Sequence, residues 1–208
     1  MILIGQYDSP FVRRVAIALS LYGLPFEHRP WSAFGDADKI KPYNPLTRVP
    51  TLVLDNGEVL VESHMMLDYL DSQVKADERL FPAGEPARHQ ALKVAALAIG
   101  LGDKIASLFY EKRMHDKVSD LWAGRCRTQI ETVLAVLDAD RASRPGDWWF
   151  GDRFGHADIA VAVMVRFLAD AHPGLVAMTG FPALATHAAS MEAMPVFQEI
   201  SQPFIAPA

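Results

Sequence analysis

Between residues 75 and 86 the spacing of apolar residues changes, and this limits the chain to two unlike parts. Upstream, apolar runs are short, of strand length, and separated by turn residues. Downstream, the period becomes 3.6 and stays there. The segment from Lys75 to Pro86, with Asp77-Glu78, Pro82, Gly84 and Pro86, has the composition of a linker. The reading is a small α/β domain over 1–77 followed by a larger all-α domain over 85–208. A chain of 208 residues that is 50% hydrophobic has enough apolar side chain to give each a core.

The upstream part reads element by element. Met1 to Gly5 is a buried-strand pattern closed by glycine. Tyr7-Asp8-Ser9-Pro10 then turns into a helix, with Ser9 suited to the N-cap and Pro10 to the first helical position. Val12, Val15, Ala16 and Leu19 make its apolar face, and Arg13 and Arg14 lie off that face. Gly23 ends the helix, and Phe26 to Arg29 follows as a strand, completing a βαβ unit. After a loop rich in Pro, Asn and Gly, Thr51–Leu54 and Val59–Val61 flank Asn56-Gly57, a strong hairpin signal. Ser63 opens a helix carrying Met66, Leu67, Leu70 and Val74. In the downstream part, Leu92, Ala95, Ala96 and Ile99 share one helix face, as do Ile130, Val133, Leu134 and Leu137. Asp158 to Leu168 is apolar nearly all round, as the central helix of a bundle should be.

Composition excludes several functions. Charged residues are 22% of the chain and the net charge is -5, with Lys and Arg scattered, so no basic surface for nucleic acid is expected. No apolar run approaches the ~20 residues of a membrane span. Cys126 is the only cysteine, which rules out an internal disulfide, a CxxC redox pair and a thiolate zinc site. It shares a face with Ile130, Val133 and Leu137 and reads as core. His115 and His156 have no partner spacing that suggests a metal or a triad. Met1 leads straight into an apolar strand without a basic n-region, so a cytoplasmic location is the expectation.

Three features of the first domain coincide in order: Ser9-Pro10 at the first helix, Val49-Pro50 before the hairpin, and Glu62-Ser63 after it. With the stretch Asn44-Pro45-Leu46-Thr47-Arg48-Val49-Pro50-Thr51-Leu52, they resemble the glutathione transferase superfamily along the whole chain. The resemblance implies an N-terminal thioredoxin-like domain, a C-terminal all-helical bundle and a homodimer. It also implies glutathione as co-substrate, no tightly bound cofactor or metal, and a small electrophile as second substrate.

The resemblance also implies roles. Val49 would pair its backbone with the cysteinyl unit of glutathione next to a cis Pro50. Ser63 would take the γ-glutamyl carboxylate and Glu62 the ammonium, at a helix N-terminus whose dipole favours an anion. The same residues would serve equally as an N-cap, Ser63, and a first-turn acid, Glu62. Ser9 matches the catalytic serine or cysteine position, where a hydroxyl donating to sulfur lowers a thiol pKa from about 8.5; Tyr7 is the rival, and Ser9 is preferred. Phe11 belongs to the same glutathione-binding set. Lys39, Lys41 and Arg48 are candidates for the glycyl carboxylate, with nothing to choose among them. Phe109, Tyr110, Arg113 and Met114 could line the acceptor site, or be a structural stripe on a long helix. Serine at position 9 cannot form a mixed disulfide, so thiolate addition is preferred to disulfide exchange. Gly155 and Asp158 resemble the family's capping box, with Gly155 where Ser or Thr is usual, which makes Asp158 structural.

Overall fold

The computed structural model describes residues 1–206. Its contacts divide the chain into two units, Met1–Leu80 together with the chain from Met194 onward, and Phe81–Ala193.

The first unit is a four-stranded sheet with helices. Its elements are β1 (Ile2–Ile4), α1 (Pro10–Leu21), β2 (Glu27–Arg29), α2 (Ala37–Ile40), β3 (Thr51–Val53), β4 (Val59–Val61) and α3 (Ser63–Ser72), and α8 (Pro195–Glu199) returns to it from the C-terminal end. The strand order is β2-β1-β3-β4. β1 runs parallel to β2 with Ile4 opposite Arg29, and antiparallel to β3 with Ile4 opposite Thr51. β4 runs antiparallel to β3. This is the thioredoxin-like arrangement. Side chains alternate across a strand, so Ile4 and Val53 meet Ile40 of α2 on one face. Leu3 and Leu52 are buried on the other, where α1 and α3 pack together. The hairpin turn falls at Asn56-Gly57 as expected, with Gly57 at φ +86.

The second unit is helical: α4 (Ala87–Met114), α5 (Asp120–Ala142), α6 (His156–Ala171) and α7 (Pro182–Glu192), with a short 3₁₀ turn at Met178–Gly180. α6 packs against α4 and α7, and its residues from His156 to Val165 are all buried. Asp158 is buried at its start and accepts the Gly155 N–H at 2.9 Å and the Trp149 N–H at 3.0 Å. Cys126 is buried with Ile130, Leu134 and Leu137.

Three expectations need correction. The buried face of α4 is Ala91, Val94, Ala95, Ala98, Leu101 and Ile105, with Ala96 exposed and Leu92 and Ile99 only half-buried; small residues at 91, 94, 95 and 98 allow close helix approach and outweigh the larger side chains. Arg13 and Arg14, read as lying off the core face of α1, are both buried. The third concerns the stretch after Met194, expected in the helical domain and grouped with the α/β unit instead. Arg13 is the physical reason: its Nε donates to Ile200 O and its Nη2 to Phe197 O, both at 2.7 Å.

Candidate functional site

β1 ends at Gly5, whose φ of +133 and position leave no room for a side chain. A Cβ there would lie 2.4 Å from Val12 Cγ2 and 2.8 Å from Val49 Cβ. The glycine therefore lets α1 and the Val49 segment close on the end of β1. The Val49-Pro50 peptide bond is cis. Among the described residues, neither the N–H nor the C=O of Val49 is used in a hydrogen bond within the chain.

The segment carrying Val49 is shaped by a residue to which the sequence reading gave no role. Asn44 is buried, and its Nδ2 donates to Arg48 O and Thr51 Oγ1, each at 3.0 Å. Its Oδ1 accepts the Leu46 N–H at 3.0 Å, and the Thr51 hydroxyl donates to Arg48 O. Thr47 has a positive φ of 52, uncommon for a non-glycine residue. The sequence signal was present: an amide before proline in a tight segment is a turn-former that hydrogen-bonds backbone two residues on.

Ser9 occupies the N-cap position of α1, with extended backbone at φ -73 and ψ 118, yet its hydroxyl makes no capping bond. Its oxygen thus stands at a positive helix end uncommitted to that helix. Phe11 follows in the first turn, half-buried. Tyr7 is placed differently. Its ring stacks on His28 with centroids 3.9 Å apart and planes 2° from parallel. Burial, and then the negative charge of Glu199, push its phenol above the ordinary value.

Glu62 and Ser63 meet other parts of this unit. Glu62 has φ +69 and forms no cap bond with α3, and its carboxylate lies 3.5 Å from Arg48 Nη1. Both side chains are exposed, so that ion pair is weak. Ser63, the first residue of α3, is buried and accepts from Arg14 Nη1 at 3.4 Å. Arg14 is fully buried, and burial lowers its pKa to about 10, so it stays cationic at neutral pH. Its Nε and Nη2 have no hydrogen-bond partner among the described residues. A buried cation directed at a buried hydroxyl on a helix N-terminus is a strongly anion-attracting arrangement. Sequence reasoning missed Arg14, because an arginine next to an apolar helical stripe reads as a surface charge.

The other candidates are not drawn together in this way. Lys39 is paired with Asp36 at 2.6 Å and Lys41 is exposed. In the helical unit, Phe109 is half-buried with its ring edge toward Tyr110 and His172, while Tyr110, Arg113 and Met114 are exposed on the last turns of α4. His115 Nδ1 pairs with Glu111 of its own helix at 2.9 Å, and no cluster of three or more metal-binding side chains occurs among the described residues.

A small α/β unit with an open backbone edge beside a cis-proline, next to an anion-attracting helix start, is a frame for holding an anionic peptide. Residues 3–78 match the glutathione S-transferase N-terminal domain and residues 120–190 the C-terminal domain. Glutathione S-transferase U1 of Arabidopsis thaliana is 36% identical over 165 residues, covering 79% of this chain and 70% of its own length. Maleylacetoacetate isomerase of Pseudomonas aeruginosa is 27% identical over 210 residues, covering 96% and 94%. A glutathione S-transferase of Methylobacterium radiotolerans, solved with glutathione sulfonate, is 31% identical with a TM-score of 0.89, covering 100% of this chain and 98% of its own. The chain belongs to the glutathione S-transferase superfamily.

Proposed function

We propose that this protein is a glutathione S-transferase that holds the glutathione sulfur as a thiolate at Ser9 and adds it to a small electrophile. The observation that carries the reading is the Ser9 hydroxyl, which sits at the N-cap of α1 without capping it. A hydroxyl free to donate to sulfur at a positive helix end stabilises the thiolate over the thiol. One hydrogen bond to a charged group, about 1.5–3 kcal/mol, corresponds to roughly one to two pKa units. Tyr7 suits this task less well, because a phenol with a raised pKa is a weaker donor and its ring is committed to His28.

The rest of glutathione has a matching place for each part. The backbone of Val49 pairs with the cysteinyl unit as an added antiparallel strand. Ser63, backed by Arg14, takes the γ-glutamyl carboxylate, and Glu62 takes the ammonium. Arg48 and Lys41 are candidates for the glycyl carboxylate, and Phe11 belongs to the wall around the thiol. In the reaction the thiol proton leaves to solvent and the sulfur lone pair forms the new C–S bond. The leaving group of the electrophile departs with the electron pair of the bond that breaks. The working form in this reading is a cytoplasmic homodimer.

The near full-length likeness to a maleylacetoacetate isomerase favours one second reading. The same thiolate would add to an activated double bond and leave again after rotation, so that glutathione is not consumed. Calorimetry with glutathione, followed by turnover with a panel of electrophiles, tests both. Binding at millimolar concentration or tighter, with a conjugate formed, is the expected result. Turnover of an activated alkene without loss of glutathione selects the isomerase, and absence of binding at millimolar concentration removes both. Sedimentation checks the dimer.

A further inference from the structure

We propose that Gln202, near the C-terminal end of the chain, is a positioning residue for the Ser9 hydroxyl, acting through the backbone of the β1–α1 loop. The proposal rests on the reading of Ser9 given above. The loop from Gly5 to Ser9 has little to hold it in place from within: the Ser9 N–H reaches Gln6 O at 3.2 Å. At its β1 end β2 holds it, with the Gly5 N–H donating to Arg29 O at 2.9 Å, His28 Nε2 2.8 Å from Gly5 O and the Tyr7 ring stacked on His28. Nearer Ser9, further ties come from a segment almost the whole chain away in sequence. Gln202 Oε1 accepts the Tyr7 N–H at 2.9 Å, two residues before Ser9. Asp8 Oδ2, one residue before Ser9, accepts the Ile205 N–H at 3.0 Å.

The segment that supplies these ties is itself anchored on α1. Arg13, 4% exposed, donates to Phe197 O and Ile200 O, both at 2.7 Å. Its guanidinium lies 5.4 Å from the centroid of the Phe197 ring, which is fully buried. Phe197 O belongs to α8 and Ile200 O to the residue just after it, so a buried cation caps the end of that helix and fixes where the following residues run. Arg13 and Gln202 thus join the start of α1 and the loop before it to one C-terminal strap, and the strap touches the residues on the N-terminal side of Ser9.

Hydrogen bonding to a sulfur requires the donor within about half an ångström of its productive place. Loss of the Gln202 tie lets the Tyr7–Ser9 backbone relax and weakens that single bond. Val49, Glu62 and Ser63 lie on other segments, so anchoring of the glutathione backbone and its γ-glutamyl end is retained. The signature is therefore a loss of thiolate with retained affinity, which a purely structural strap would not give.

Ultraviolet titration of bound glutathione measures the thiol pKa directly in the wild type, Ser9→Ala, Gln202→Leu and Gln202→Glu. The Leu variant removes the acceptor, and the Glu variant keeps a carboxylate oxygen in its place. Gln202→Leu is expected to raise the thiol pKa toward, and not beyond, the Ser9→Ala value, with a glutathione dissociation constant unchanged when measured at a pH of about 5, where the thiol is protonated in every form. Gln202→Glu should restore most of the shift. Truncation after Ser201, which removes the Asp8–Ile205 tie as well, should raise the thiol pKa at least as far as Gln202→Leu when titrated below the melting temperature of each variant. An unchanged pKa in Gln202→Leu beside a raised one in Ser9→Ala overturns the proposal alone. An unchanged pKa in Ser9→Ala overturns the Ser9 reading and the positioning role with it.

Discussion

Asn44 and Arg14 are buried polar residues with opposite arrangements, and different measurements should respond to each. The Asn44 amide is fully engaged with Leu46, Arg48 and Thr51. Asn44→Ala takes the acceptor from the Leu46 N–H and a donor from the buried Thr51 hydroxyl, while Arg48 O keeps the Thr51 bond, at a cost of about 1–3 kcal/mol. Urea denaturation should show that loss as a lower midpoint with an unchanged slope, together with weaker glutathione binding as the Val49 edge loosens. Arg14 is a buried cation with one long hydrogen bond. Arg14→Met removes a desolvated charge, so stability should hold or rise. Glutathione affinity should fall by about tenfold or more, the equivalent of one lost charge-assisted bond. An analogue lacking the γ-glutamyl α-carboxylate should bind both forms alike; equal losses for both ligands would remove Arg14 from the anion site.

At the scale of elements, the junction after α5 gives a pH prediction. Burial alone would push the Asp140 carboxyl up, but hydrogen bonds from Arg144 and from Trp149 Nε1, the latter at 2.6 Å, hold it below the usual carboxylate range. The folded protein therefore keeps this group ionised to lower pH than the unfolded chain does. The stability it contributes is present above an ordinary aspartate pKa of about 3.9 and is lost as pH falls through the folded value. Asp140→Asn should lower the melting temperature at pH 7, and the gap from the wild type should narrow by pH 3. A gap independent of pH would mean that the carboxyl carries none of that stability.

Elements also show what the sequence made legible. The hairpin at Asn56-Gly57, the Pro10 start of α1 and the all-round apolar α6 follow from turn chemistry and periodicity, which are local. The four-residue α2 was read as loop, since one turn leaves no periodic pattern and Ile40 is its single buried anchor. The face of α4 was misplaced because hydrophobic size misleads where Ala91, Val94, Ala95 and Ala98 are buried for closeness.

At the scale of the whole chain, the position of the C-terminal stretch was the least legible feature. It depends on Arg13 meeting carbonyls 184 and 187 residues away, and no local pattern encodes such a contact. Family membership was legible, because Ser9-Pro10, Val49-Pro50 and Glu62-Ser63 carry it in order. The parts that depend on side-chain burial were not: the cation behind Ser63 and the amide behind Val49 both look like surface residues in sequence.

The most direct measurement is the pKa of the glutathione thiol in the bound state, read by its thiolate absorbance across pH in the wild type and in Ser9→Ala. A Ser9-held thiolate requires a wild-type value roughly one to two units below the free thiol's ~8.5, rising toward that value in Ser9→Ala with binding retained. A depressed pKa that Ser9→Ala leaves in place would contradict the central claim and pass the role to Tyr7 or a backbone donor.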